Sequence, residues 1–137
     1  MLTSGALFAT LGIEGQVAQG FVPDDEIPSV FAHALVFVYP SRYEGFGIPI
    51  LDAFAAGCPV ILANASCFPE VAGDAALYVD LDDPASLRDQ LSLLLHDASL
   101  RDRLAAQSRS RLEGFSWSRC AEETANIYRK GLSVRQR

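Results

Sequence analysis

With 137 residues and 14.8 kDa the chain has the length of one domain, and a composition half hydrophobic and one fifth charged is that of a folded globular protein, not a disordered tail. A net charge of −6 argues against nucleic acid or an anionic membrane as partner, because phosphate surfaces are held by clustered Lys and Arg. Cys58, Cys67 and Cys120 cannot all pair within one chain and show no metal-ligand spacing with His33 or His96, so they read as reduced thiols of a cytoplasmic protein without a metal site.

The first thirteen residues, MLTSGALFATLGI, lack the basic start and clear cleavage site of a signal peptide, and they read as the end of a helix. No stretch approaches the ~20 clean apolar residues of a transmembrane helix. A short strand is expected near Gln16–Val22, followed by a turn at Pro23 to Glu26 and a short helix through Val30, Phe31 and Ala34.

Leu35 to Pro40, LVFVYP, is a continuous apolar run, the pattern of a strand covered on both faces. Beyond it Pro49 suits the first turn of a helix, Ile50, Leu51, Phe54 and Ala55 have helical spacing, and Gly57 ends that helix. Pro59 to Ala63 reads as a second buried strand, Asn64–Asp74 as a long loop, and Ala75 to Val79 as a third strand. Strands alternating with helices imply a parallel sheet.

The last third is helical. Asp83-Pro84 is an N-cap followed by a first-turn proline, with Leu87, Leu91, Leu94 and Leu95 on one apolar face. Another helix carries Leu100 and Leu104, and Phe115-Ser116-Trp117 opens a final one whose stripe, Trp117, Ala121, Thr124, Ala125 and Tyr128, is expected to be core. The fold class is therefore α/β, a Rossmann-like parallel sheet with flanking helices. The whole of 1–137 reads as one domain, with a parallel core over about 12–80 and C-terminal helices over about 84–131.

The stretch YEGFGIPILD, Tyr43 to Asp52, places one carboxylate in a glycine loop and a second inside the following helix. Open α/β sheets bind ligands beyond the carboxyl ends of their strands, where glycines admit a ligand to the backbone and a helix start favours an anion such as a diphosphate. A carboxylate repels phosphate but accepts hydrogen bonds from hydroxyls. Acid, amide-rich loop and acid in that order would suit a nucleotide sugar; the plainer alternative is a solvated Glu44, a capping Asp52 and a tight turn.

VFVYPSRYEGFGIPILDAFAAGCPVI, followed by NASCFPEVAGDAALYVDLDDPASL and FSW, resembles the C-terminal donor-binding domain of retaining GT-B glycosyltransferases of the group 1, or family 4, type. The resemblance runs from Gly12 to about Gly131. It implies a partial GT-B C-terminal domain, lacking the N-terminal acceptor domain and the first part of the donor domain. It makes Glu44 the catalytic-site carboxylate that contacts hydroxyls of the donor sugar, and Asp52, where the family signature has glutamate, the contact to the ribose. Gly45, Phe46 and Gly47 match the loop around the sugar, and Ile48, Pro49 and Ile50 match the helix start whose amides face the diphosphate. Phe21 and Val22 match the region that cradles the base, and Pro69-Glu70 a family turn of structural or ligand role.

No metal or other cofactor is implied, the nucleotide sugar being the substrate. Residues 1–85 hold eleven acids and a single base, Arg42, whereas residues 86–137 hold ten bases and six acids. The resemblance places the cations that neutralise the leaving diphosphate in the missing segment, so the chain alone is expected to be inactive. Three readings follow: a donor domain completed by a polypeptide supplying the N-terminal acceptor domain, a non-catalytic nucleotide-sugar binding module, or a truncated remnant. An exposed sheet edge would favour self-association or a covering partner.

Overall fold

The computed structural model describes residues 14–134. The helix end expected over the first dozen residues lies outside them. Three parallel strands, β1 (Phe37–Tyr39), β2 (Val60–Ala63) and β3 (Leu77–Val79), form a sheet in the order β1-β2-β3. Phe37 is in register with Val60, and Ile61 with Leu77. Around the sheet lie α1 (Ile27–His33), α2 (Ile48–Ala55), α3 (Phe68–Ala72), α4 (Pro84–His96), α5 (Ala98–Leu112) and α6 (Trp117–Val134).

The central strand explains its own composition. All four residues of β2 are buried. Side chains alternate along a strand: Val60 and Leu62 join Ile50, Phe54, Phe68 and Val71 on one face, while Ile61 joins Val79, Leu94 and Leu104 on the other. A strand with two covered faces has no polar side, which is why VILA is uninterrupted. The outer edge of β1 pairs with no strand among the described residues.

Local chemistry sets the ends of the helices. Pro49 stands in the first turn of α2, and Gly57, at φ 71°, takes the left-handed conformation just beyond its end. Asp83 and Asp97 each turn a carboxylate back to a first-turn amide, of Ala85 and Leu100 respectively, at 2.9 Å.

Four expectations need correction. Gln16–Val22 is not a strand: residues 14–16 form a 3-10 turn, the rest is irregular, and Phe21 is 87% exposed. Among the described residues no neighbouring strand stands there to pair its backbone groups. The expected loop Asn64–Asp74 contains α3 and a 3-10 turn over Gly73–Ala75, with Phe68 and Val71 buried one turn apart. Leu95 is half exposed, on the outer side of α4. The stripe of α6 is not core: Trp117 is 80% and Tyr128 70% exposed, because no element among the described residues lies over it.

Candidate functional site

The candidate site forms where β1 ends and the chain crosses to α2. Pro40 removes a ladder donor directly after Tyr39, and the chain leaves the sheet through Ser41 to Gly47. Gly47 is buried, lies at φ 89° and stands as N-cap of α2. A Cβ built there would meet Ile50 Cδ1 at 2.9 Å and Phe68 Cε1 at 3.1 Å. Only glycine fits both the conformation and the space.

The α2 N-terminus has no side-chain cap and no acid in its first turn. Its partial positive charge is left open toward the loop. Gly45 and Phe46 are exposed beside it, Ile48 is 49% exposed, Pro49 is part-buried and Ile50 is fully buried in the core.

Glu44 is the most tightly held residue of the loop. Tyr39 Oη donates to Glu44 Oε1 at 2.7 Å. Ser66, on the loop after β2, donates its hydroxyl to the Glu44 carbonyl at 2.8 Å and accepts from the Glu44 N–H at 3.3 Å. Cys67 Sγ donates to the same carbonyl at 3.4 Å. The hydrogen bond to Glu44 is the main cause that raises the Tyr39 phenol above its usual value, with burial and the charges of Glu44 and Cys67 adding to it.

Asp52 lies elsewhere on α2. It lines a cleft of about 430 Å³ between α1 and α2 with Asp24, Ile27, Pro28, Ala32, Ala55 and Ala56. Glu44 is not among the residues of that cleft, and neither are Phe21 and Val22, which are exposed at its N-terminal side of the sequence. Arg42 pairs with Asp82 at 2.7 Å, both side chains mostly exposed, at a second cavity of about 320 Å³ beyond the ends of β2 and β3.

Phe46 meets Phe115 edge to face, with centroids 5.8 Å apart. Arg111 lies over the Phe115 ring at 5.4 Å, and its guanidinium donates to the carbonyls of Val71, at 2.9 Å, and Glu70. The Pro69-Glu70 turn is thus held through its backbone carbonyls. Of Tyr39, Ser66 and Cys67, only Tyr39, an aromatic at the end of a strand, carries a sequence signal that points to this site.

In open α/β sheets ligands bind beyond the carboxyl ends of the strands, and the glycine loop places Glu44 beyond that end of β1, ahead of the uncapped start of α2. Residues 6–111 match the family described as "Glycosyl transferases group 1". The chain is 42% identical over 110 residues, 80% of its length, to O-antigen chain mannosyltransferase B of Escherichia coli, of which it covers 29%. It is 35% identical over 132 residues to MMP alpha-(1->4)-mannosyltransferase of Mycolicibacterium hassiacum, covering 93% of this chain and 32% of that one.

Among solved structures, sucrose-phosphate synthase of Thermosynechococcus elongatus superposes with TM-score 0.84 at 24% identity, over 93% of this chain and 33% of its own. The C-terminal domain of a glycosyl transferase group 1 family protein from Francisella tularensis superposes with TM-score 0.67 at 28% identity, over 79% of this chain and 57% of its own. This chain belongs to the glycosyl transferases group 1 family. It spans about a third of the length of the curated relatives it matches.

Proposed function

We propose that the domain binds a nucleotide-sugar donor at the 41–52 loop and helix and serves the donor half of sugar transfer to a hydroxyl acceptor. The observation that carries this reading is the carboxylate of Glu44, fixed 2.7 Å from Tyr39 Oη in a glycine loop directly ahead of the uncapped N-terminus of α2. An acceptor-only carboxylate suits sugar hydroxyls, and the open helix start suits a diphosphate. Glu44 is the catalytic-site carboxylate in this reading. Gly45, Phe46 and Gly47 shape the sugar pocket, Ile48, Pro49 and Ile50 form the diphosphate-facing helix start, Asp52 takes the ribose, and Phe21 and Val22 border the base. Binding needs no metal or other cofactor.

A second reading, binding without turnover by this chain alone, draws on Arg42. The single base of residues 1–85 is engaged with Asp82. Transfer needs positive charge where the leaving diphosphate develops its own, and a helix terminus supplies only about half a charge. Catalysis then depends on polypeptide outside these residues that brings cations and an acceptor site. The same polypeptide, or a second copy of the chain, would cover the outer edge of β1, which pairs with no strand among the described residues.

The test is thermal unfolding of the chain alone and with millimolar UDP, GDP and ADP and the sugar forms of each. A ligand that binds only the folded state stabilises it by roughly 2.7 kcal/mol at a hundredfold excess over its dissociation constant. A nucleotide and its sugar form should raise the transition, the sugar form more. A cooperative transition that none of them moves would refute donor binding.

A further inference from the structure

We infer that Tyr39 and Ser66 are positioning residues for Glu44, one fixing its carboxylate and the other its backbone, so that the remaining carboxylate oxygen is presented to the donor sugar. This rests on the donor-binding reading of the loop.

A glutamate on an exposed glycine loop would ordinarily sample several rotamers, and binding would then bear the cost of ordering it. Here that ordering is done in advance. The Tyr39 ring stacks against Phe37, with centroids 5.6 Å apart, and leans on Phe68 at 5.3 Å, so its hydroxyl has little freedom to leave Glu44 Oε1. Glu44 Oε2 has no hydrogen bond to protein among the described residues, and an ionised carboxylate can only accept. A ligand hydroxyl is the kind of group that meets it.

Ser66 completes the hold. It sits at φ 55°, a left-handed conformation that costs a non-glycine residue free energy and persists where surrounding contacts fix it. In that conformation its hydroxyl makes both backbone bonds to Glu44, and the Sγ of the next residue, Cys67, adds a third. The loops after β1 and β2 are thereby tied together at the residue that carries the carboxylate. The Ser66 and Cys67 contacts fix the backbone of residue 44, and the Tyr39 hydroxyl alone fixes its carboxylate.

The test is calorimetric titration with UDP, UDP-glucose, GDP and GDP-mannose on the wild type, Glu44→Ala, Tyr39→Phe, Ser66→Ala and Ser66→Gly. The readout is the preference for the sugar form over its nucleotide. Loss of one hydrogen bond in Tyr39→Phe, and of the two that the Ser66 hydroxyl makes in each Ser66 variant, should lower that preference by roughly threefold to tenfold or more, with affinity for the free nucleotide unchanged. Ser66→Gly relieves the backbone and keeps the fold, so a lowered preference in that variant is not loss of structure.

If Glu44→Ala lowers the preference while Tyr39→Phe and Ser66→Gly leave it intact, the positioning role is overturned and donor binding stands. If the wild type binds a sugar form with no preference over its nucleotide, the positioning role falls; if it binds none of the four ligands, nor ADP or its sugar form, donor binding falls with it. A ligand-free arm follows tyrosine ionisation by ultraviolet absorbance. Glu44→Ala should shift one of the four tyrosine transitions to lower pH, and an unchanged titration would overturn the inference.

Discussion

Replacing Gly47 by alanine should be among the most damaging single-methyl additions in this chain. Two independent costs meet there. The residue lies at φ 89°, where an L side chain costs about 1–2 kcal/mol. The new Cβ would also fall 2.9 Å from Ile50 Cδ1 and 3.1 Å from Phe68 Cε1, both on fully buried side chains, and overpacking of that kind typically costs about 1–3 kcal/mol. Together they predict a loss of about 2–5 kcal/mol, a large share of the roughly 5–15 kcal/mol that holds an ordinary domain. Urea unfolding monitored by far-ultraviolet circular dichroism measures it, with Gly45→Ala and Gly57→Ala as controls. Gly45 has open space and an ordinary φ, so its variant should stay within about 0.5 kcal/mol, whereas Gly57 has open space at φ 71° and should lose the backbone part alone. Ile50→Val deletes the atom at 2.9 Å, and the pair Gly47→Ala/Ile50→Val should be less destabilised than the sum of its members by at least about 0.5 kcal/mol. A Gly47→Ala variant as stable as Gly45→Ala, or strict additivity in the pair, would refute the steric reasoning.

Arg111→Lys should lose about 1–2 kcal/mol in the same unfolding assay, because an ammonium cannot reproduce the fork that reaches two carbonyls from above the Phe115 ring; a neutral result would show that the α5 C-terminus does not depend on it. Tyr39, raised from 10.0 chiefly by its bond to Glu44, should contribute stability that is complete below pH 10 and lost as pH rises through its folded value. Tyr39→Phe should therefore show a flatter loss of stability above pH 10, and matching curves would contradict the bond. Asp97 is displaced the other way, held below 3.8 by its bonds to Ser99 and the Leu100 amide, so its contribution should be present above that value and fade as pH falls through the lower folded one. Unfolding midpoints from pH 5 to 2 should fall less steeply in Asp97→Ala than in the wild type, and parallel slopes would count against the cap. Cys120 is exposed and Cys58 buried with its thiol pushed up by burial, so a disulfide reagent should modify Cys120 in the folded chain and Cys58 only on unfolding; equally fast reaction would mean the core opens readily.

Much of the fold was legible because the covered strands declare themselves. VILA is apolar throughout since Val60 and Leu62 pack on one face and Ile61 on the other, and the glycine and proline signals around α2 mark its two ends. The misreadings share a cause, which is tertiary context. Helix α3 is five residues long and carries Pro69, so its local pattern reads as a loop, and only the burial of Phe68 and Val71 reveals the turn. The α6 stripe has correct helical spacing, yet spacing cannot tell whether another surface lies over it, and Trp117 and Tyr128 remain exposed.

The site was legible in part for the same reason. Glu44 and its glycine loop stand in one contiguous stretch, so sequence order alone assembles them. Their supports do not: Ser66 is twenty-two residues away and Arg111, which holds the Glu70 and Val71 carbonyls, lies forty-one and forty residues from them. Those neighbours exist only because β1 and β2 are adjacent and α5 folds back beside α3. Asp52 stands in the same contiguous motif, and the fold sets it in the α1–α2 cleft, a neighbourhood that sequence order does not show.

The most direct test of donor binding is amide chemical-shift mapping on the nitrogen-15-labelled chain titrated with GDP-mannose and UDP-glucose. Donor binding predicts saturable shifts centred on Glu44, Gly45, Gly47 and Ile48, with Asp52 and the cleft by α1 moving when the nucleotide alone is added. Shifts confined to α4–α6, or none at millimolar ligand, would contradict it.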